Sequence, residues 1–332
     1  MLQKKRNRAG LIASALISAV LVVLSLFLVF NRQQVIDQLT VWQYQPTEEV
    51  KNLVERAGMN DDGIFLYLAS QPQLADASDF NKVCDRVEKT TSILGCYTNY
   101  RIYIYNITNP DLDGIREVTA AHETLHAVYV RLSSSERERV NALVEAEYEK
   151  LENDDRFKER MAFYARTEPG QRDNELHSVI GTEVADISPE LEAHYANYFD
   201  DRQKVVALNA TYNSIFRELD SKARELGARI EALATHIERS TDTYNKDVQI
   251  LNEDIVSFNQ RAANNGFESQ SQFNTERANL IARVDYIQSV RAAINSDVQA
   301  YSALIKEYNL IALQSKKLYN SIDSTLAPAP SV

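Results

Sequence analysis

Glycine and proline are scarce in this 332-residue chain, nine and seven respectively, and cysteine is scarcer still, at two. So few turn-forming residues exclude a many-turned β fold and suit long helices. Positive charge is also short: 36 Lys and Arg stand against 47 Asp and Glu, a formal net charge of −11. Phosphate binding needs a basic surface, so nucleic acid is excluded as a partner. The sequence has no Gly-rich phosphate loop and no Cys/His cluster with the spacing of a structural zinc site.

Only one long apolar run is present. Lys4, Lys5, Arg6 and Arg8 precede an uncharged stretch from Ala9 to Asn31, whose centre, Leu11 to Phe30, is almost wholly apolar. About twenty such residues cross a bilayer as a helix. The stretch ends Leu26-Phe27-Leu28-Val29-Phe30, without the small residues of a signal-peptidase site, so an uncleaved anchor is expected. The basic cluster favours a cytoplasmic N-terminus with the bulk of the chain extracytoplasmic. In an oxidising compartment Cys84 and Cys96 can close a short loop as a disulfide.

Beyond the anchor (residues 1–31), residues 32–60 read as a polar, partly helical stalk. It has one amphipathic helix after Thr47, carrying Val50, Leu53 and Val54. Residues 61–187 read as an α+β domain: a buried strand at Ile64–Leu68, a stronger one at Arg101–Ile107, then helices at about 115–132, 134–153, 155–166 and 173–186. From Ser188-Pro189 onward, over 188–326, the pattern is helical. Apolar residues step by three and four through Val205, Leu208, Tyr212, Ile215 and Leu219, and again through Val284, Ile287, Ile294, Val298 and Tyr301. The break at Ala262-Ala263-Asn264-Asn265-Gly266-Phe267 predicts an antiparallel coiled-coil hairpin, a candidate surface for a protein partner. Arg291 and Ala312 at core positions, and a phase slip near Tyr244, predict a loose pairing. The Pro-rich tail, 327–332, is too short to fold.

The chemistry is concentrated in His122-Glu123-Thr124-Leu125-His126. On a helix, positions four apart share a face one turn apart, so both imidazoles can address one ion. Glu123 is then placed to act as general base on a water at that ion. Five residues alone are a weak signal, but the surrounding helix has apolar periodicity at Val118, Ala121, Leu125 and Val128, and a strand precedes it. A third ligand must come from elsewhere. Projected at 100° per residue, the helix at 173–186 places Glu183 near the middle of an apolar face made by Leu176, Val179, Ile180 and Val184. Glu175 and Asp186 fall at its edge, and His177 points away. Glu183 is therefore the expected third ligand, Glu175 the runner-up, and Asp186 a partner orienting a histidine ring. His194 and Tyr195 are candidate donors to a developing oxyanion.

The motif resembles that of the zincin metallopeptidases, and two histidines with a glutamate on a later helix resemble the gluzincin branch. The resemblance covers about residues 100–187. The spacing Glu183-Val184-Ala185-Asp186 is one residue shorter than the branch's glutamate–aspartate spacing. The resemblance implies a Zn2+-dependent endopeptidase acting on a protein or peptide substrate. That substrate would lie along the strand near Ile102–Ile104, taken as a sheet edge. The competing expectation is a coiled-coil scaffold of the cell envelope with an inactive or structural zincin-like module.

Overall fold

The computed structural model describes residues 8–84, 93–151, 153–167 and 169–325. Lys4, Lys5, Arg6 and the tail 327–332 lie outside them. The chain divides into two compact units, Met1–Ser214 with Leu318–Val332, and Ile215–Lys317.

The first unit opens with α1 (Arg8–Phe30), exposed over Ile12–Phe30, where it is long and apolar enough to cross a membrane. Helices α2 (Arg32–Gln43), α3 (Glu48–Arg56) and α4 (Asp61–Ala69) follow. Residues 32–60 are not a stalk. The Thr47 side chain accepts from Val50 N and starts α3, as expected, but Val50, Leu53 and Val54 are buried in the main core. On α2, Asp37 is buried, and its carboxylate takes two hydrogen bonds from Arg131, from Nε at 2.9 Å and Nη2 at 2.8 Å.

Ile64–Leu68 is helix, not strand. Five consecutive apolar residues carry no period. Helix geometry is decided at the start, where Asn60 Oδ1 accepts from the backbone N–H groups of Asp62 and Gly63 and two aspartates occupy the first turn.

Among the described residues a three-stranded sheet has the order β1 (Gln73–Ala75), β3 (Arg101–Tyr105), β2 (Gly95–Thr98), with β1 parallel and β2 antiparallel to β3. The predicted strand at 101–107 is thus the central one, so Ile102–Ile104 has no free edge for a peptide. The outer positions belong to β1 and β2. Ile102 and Ile104 point into the core. Helix α5 (Ala77–Val83) packs on the sheet, and Cys84 at its end is disulfide-bonded to Cys96 of β2.

The motif lies on α6 (Ile115–Arg131). Gly114 precedes it with φ +96°, and a Cβ there would press on Leu208 at 3.1 Å, so only glycine starts this helix without strain. Helices α7 (Ser134–Leu151), α8 (Asp155–Thr167), α9 (Arg172–Glu183) and α10 (Pro189–Tyr195) complete the body. Leu125 of α6, Leu176 and Ile180 of α9, and Leu191 and Tyr195 of α10 meet in the core.

Two long helices follow, α11 (Gln203–Ala263) and α12 (Gln270–Ile322). The first turns of α11 belong to the body: Val205 and Val206 are in its core. So does the end of α12, where Leu318 is buried and Asn81 donates to Ser324 O at 2.7 Å. The second unit is the helical hairpin between them. Opposed charges run antiparallel across its arms, Arg261 with Glu276 and Arg283 with Asp254. Phe258, Phe267 and Phe273 cluster at the turn.

The disulfide joins residues twelve apart, a loop whose closure is worth about 3 kcal/mol through the unfolded state. Replacing both cysteines, Cys84→Ser with Cys96→Ser, should lower the unfolding free energy in urea by about that amount. An unchanged midpoint would show that the bond does not constrain the chain.

Candidate metal centre

Helix α6 is sandwiched between the sheet and α9, which makes its most extensive helix contact. His122 and His126 stack one turn apart on the α9 side, with ring centroids 4.8 Å apart and planes at 78°. Their Nε2 atoms are 3.1 Å apart. Glu175, in the first turn of α9 and 1% exposed, closes the third side. Its Oε1 lies 3.4 Å from His126 Nε2 and its Oε2 lies 3.8 Å from His122 Nε2. The three groups offer ligand atoms that all lie within 4.8 Å of one another.

That geometry fits a divalent cation. Donors bound tetrahedrally at about 2.0–2.2 Å stand roughly 3.3–3.6 Å from one another, close to the separations here. The electrostatics agree. Burial holds His122 well below the usual histidine range, and the neighbouring His126 pushes it further the same way. A neutral imidazole offers a lone pair and supplies no countercharge for the Glu175 carboxylate.

His126 is oriented from behind. Its Nδ1 faces Asn174 Oδ1 at 3.0 Å and Ser178 Oγ at 3.2 Å. An Nδ1–H donating to Asn174 leaves the Nε2 lone pair directed at the centre. Asn174, Glu175 and Ser178 share one face of α9.

Glu183, the expected ligand, is elsewhere. It ends α9 more than two turns from Glu175, and its carboxylate is ion-paired with Arg160 of α8. Asp186 lies beyond the helix, exposed, and Asn174 and Ser178 hold the histidine ring in its place. The cause is visible in α9 itself: Glu175 through Thr182 are all buried, because α6, α7 and α8 all pack against this helix. A helix enclosed by neighbours has no single apolar face to project. For the same reason His177, expected off the buried face, is fully buried.

His194 and Tyr195 are also committed elsewhere. Tyr195, with no exposed surface, donates its OH to His177 O at 2.7 Å. His194 Nε2 lies 2.9 Å from His177 Nε2. Both side chains are part of the packing between α9 and α10, so neither is placed as an oxyanion donor.

Glu123 is buried on the sheet side of α6. A Cβ on Gly95, the first residue of β2, would stand 2.6 Å from Glu123 Oε1 and from Thr119 Cγ2. The missing side chain at residue 95 is what lets β2 pass over this carboxylate. At the far end of α6, Arg131 Nη1 donates to Tyr97 OH of β2 at 3.1 Å, tying the strand to the helix a second time. Gly95, Asn174 and Ser178 carry no motif of their own in the sequence; they become recognisable only once the packing partners of α6 are known.

No protein-family model matches the chain, and no curated protein or solved structure matches it.

The buried histidines make stability pH-dependent. His194 is lowered from near 6.5 to about 4 by burial first and by the charge of Arg139 second. It is neutral in the folded protein where the unfolded chain already binds a proton. Its contribution is therefore complete above about pH 6.5 and is lost as pH falls toward 4. At about 1.4 kcal/mol per pH unit, roughly 3 kcal/mol disappears across that window. Urea unfolding of metal-free protein at several pH values should show this loss, with a shallower slope in His194→Gln. Equal slopes would remove His194 as the cause.

Proposed function

We propose that the chain is a membrane-anchored, zinc-dependent endopeptidase centred on His122, His126, Glu175 and Glu123. One observation carries this reading: two Nε2 atoms from one turn of α6 and a buried carboxylate from α9 converge on a common point, with a second buried carboxylate next in sequence to the first histidine. Two nitrogens and a carboxylate suit zinc and leave a position for water or substrate. A merely structural metal site has no use for the base.

When bound, zinc supplies Lewis acidity that acidifies a water and polarises a peptide carbonyl. Glu123 takes the proton from the water and delivers it to the leaving amine. Asn174 and Ser178 keep His126 in its ligating tautomer. Gly95 leaves Glu123 its place. An extended peptide pairs with the outer edge of β2, the strand nearest Glu123, by strand addition. Helix α1 is the single-pass anchor, and the basic cluster before it favours a body outside the cytoplasm, where a disulfide persists. The hairpin offers a separate surface for a protein partner.

Purified wild-type protein should carry one zinc per chain and cleave an unstructured protein substrate. Glu123→Gln should retain zinc and lose about 10²–10⁴ in turnover. Glu175→Ala should lose the metal, while Glu183→Ala should keep it. Zinc-free wild type, or a Glu123→Gln variant as active as wild type, ends the peptidase reading. Bound zinc without cleavage in either form leaves the scaffold reading instead.

Gly95→Ala should keep zinc while turnover falls about 10²-fold, the cost of misplacing a catalytic group by about 1 Å. An unaffected turnover would mean that β2 does not position Glu123.

A further inference from the structure

Helix α2 buries a carboxylate and leaves large apolar side chains exposed. Its one buried residue is a carboxylate, Asp37, gripped by Arg131. Its outward side carries three apolar side chains, Ile36 at 43% exposed, Leu39 at 46% and Trp42 at 73%, beside the exposed Arg32 and Gln43, whose long stems let their polar ends reach water. Steps of three put Ile36, Leu39 and Trp42 on one stripe. A surface helix in water does the opposite, burying its apolar stripe and exposing its charge. Trp42 is the only tryptophan in the chain, and among the described large hydrophobic side chains only Phe30 is more exposed.

The helix follows α1 after a single residue. Backbone hydrogen bonds run through the junction, Asn31 N to Phe27 O at 2.9 Å and Val35 N to Asn31 O at 3.0 Å. Asn31 itself leaves helical geometry, with φ −106° and ψ 23°, so the two helices are distinct segments and the axis can change direction there.

We propose that α2 lies in the headgroup layer of the bilayer that α1 crosses, with Ile36, Leu39 and Trp42 immersed and Asp37 turned back into the protein. The proposal rests on the reading of α1 as an anchor and is independent of the peptidase reading. Lipid is the occupant the observations favour. The stripe follows the exposed apolar helix α1 after one residue, and tryptophan is enriched at this depth, where its ring is half apolar and its N–H meets water. Three side chains fall well short of the roughly 800 Å² per partner of a stable protein interface. The inward face then has a mechanical consequence. Asp37 holds Arg131, five residues beyond His126 on the same helix, and Arg131 holds Tyr97 of β2. The layer that carries α2 therefore sets the position of α6 and β2 relative to the membrane.

A single tryptophan makes the test direct. The full chain is reconstituted in phosphatidylcholine vesicles, with Trp42→Phe as the blank for tyrosine emission. Emission should be blue-shifted, protected from iodide, and quenched more by lipid brominated near the headgroup end of its acyl chains than by lipid brominated near the chain ends. Ready quenching by iodide, with none by either lipid, overturns the proposal. A blue shift that disappears as protein is diluted into excess lipid also overturns it, in favour of a second copy. Alkaline carbonate separates the two readings: release of the protein from the vesicles removes the anchor and the proposal together, whereas retention with a water-exposed Trp42 removes only the proposal.

Discussion

A carboxylate taken out of water must be compensated, and Glu175 sits where α9 presses against α6 with two imidazoles facing it. Burial keeps His122 neutral, so its imidazole answers the carboxylate with a lone pair instead of positive charge. A divalent cation satisfies all three groups at once. Much of the body is arranged around that meeting. Asn174 and Ser178 of α9 orient His126, Gly114 sets where α6 begins, and β2 covers Glu123 on the flank of the same helix next to the histidines. The site is built on helices locked by core packing, a more rigid support than loops provide.

What could be read from the sequence follows from how local each feature is. The four-residue spacing of His122 and His126 fixes their relative placement whatever the helix packs against. The β-branched and aromatic run at Arg101–Tyr105 and the Thr47 cap are equally local, and both features are present. The hairpin followed from a repeat sustained over many turns, broken once at Asn264-Asn265-Gly266. The third ligand was not local. Choosing between Glu175 and Glu183 required the rotation of α9, and a helix buried along eight consecutive residues has no polar side from which to judge it. Sheet order was hidden for a related reason: strength of β propensity does not say whether a strand is central or at an edge, and β3 proved to be flanked on both sides. The helix α4 was readable after all, from Asn60 and the two aspartates behind it, but its unbroken apolar run obscured the cap.

The chain thus joins three physically different pieces. An apolar helix able to cross a membrane precedes a compact body of short helices and a small sheet. The body receives both ends of a helical hairpin, since the start of α11 and the end of α12 are each packed within it. Cross-arm ion pairs of the hairpin are exposed and worth little individually, while Leu219, Leu226 and Leu251 are its buried residues.

X-ray absorption at the zinc edge reads directly which atoms surround a bound ion. Zinc-loaded protein should show a shell of about four nitrogen or oxygen donors near 2.0–2.1 Å, with the outer scattering of two imidazole rings. A shell without imidazole scattering, or one indistinguishable from hydrated zinc held at the acidic surface, would contradict a centre built from His122, His126 and Glu175.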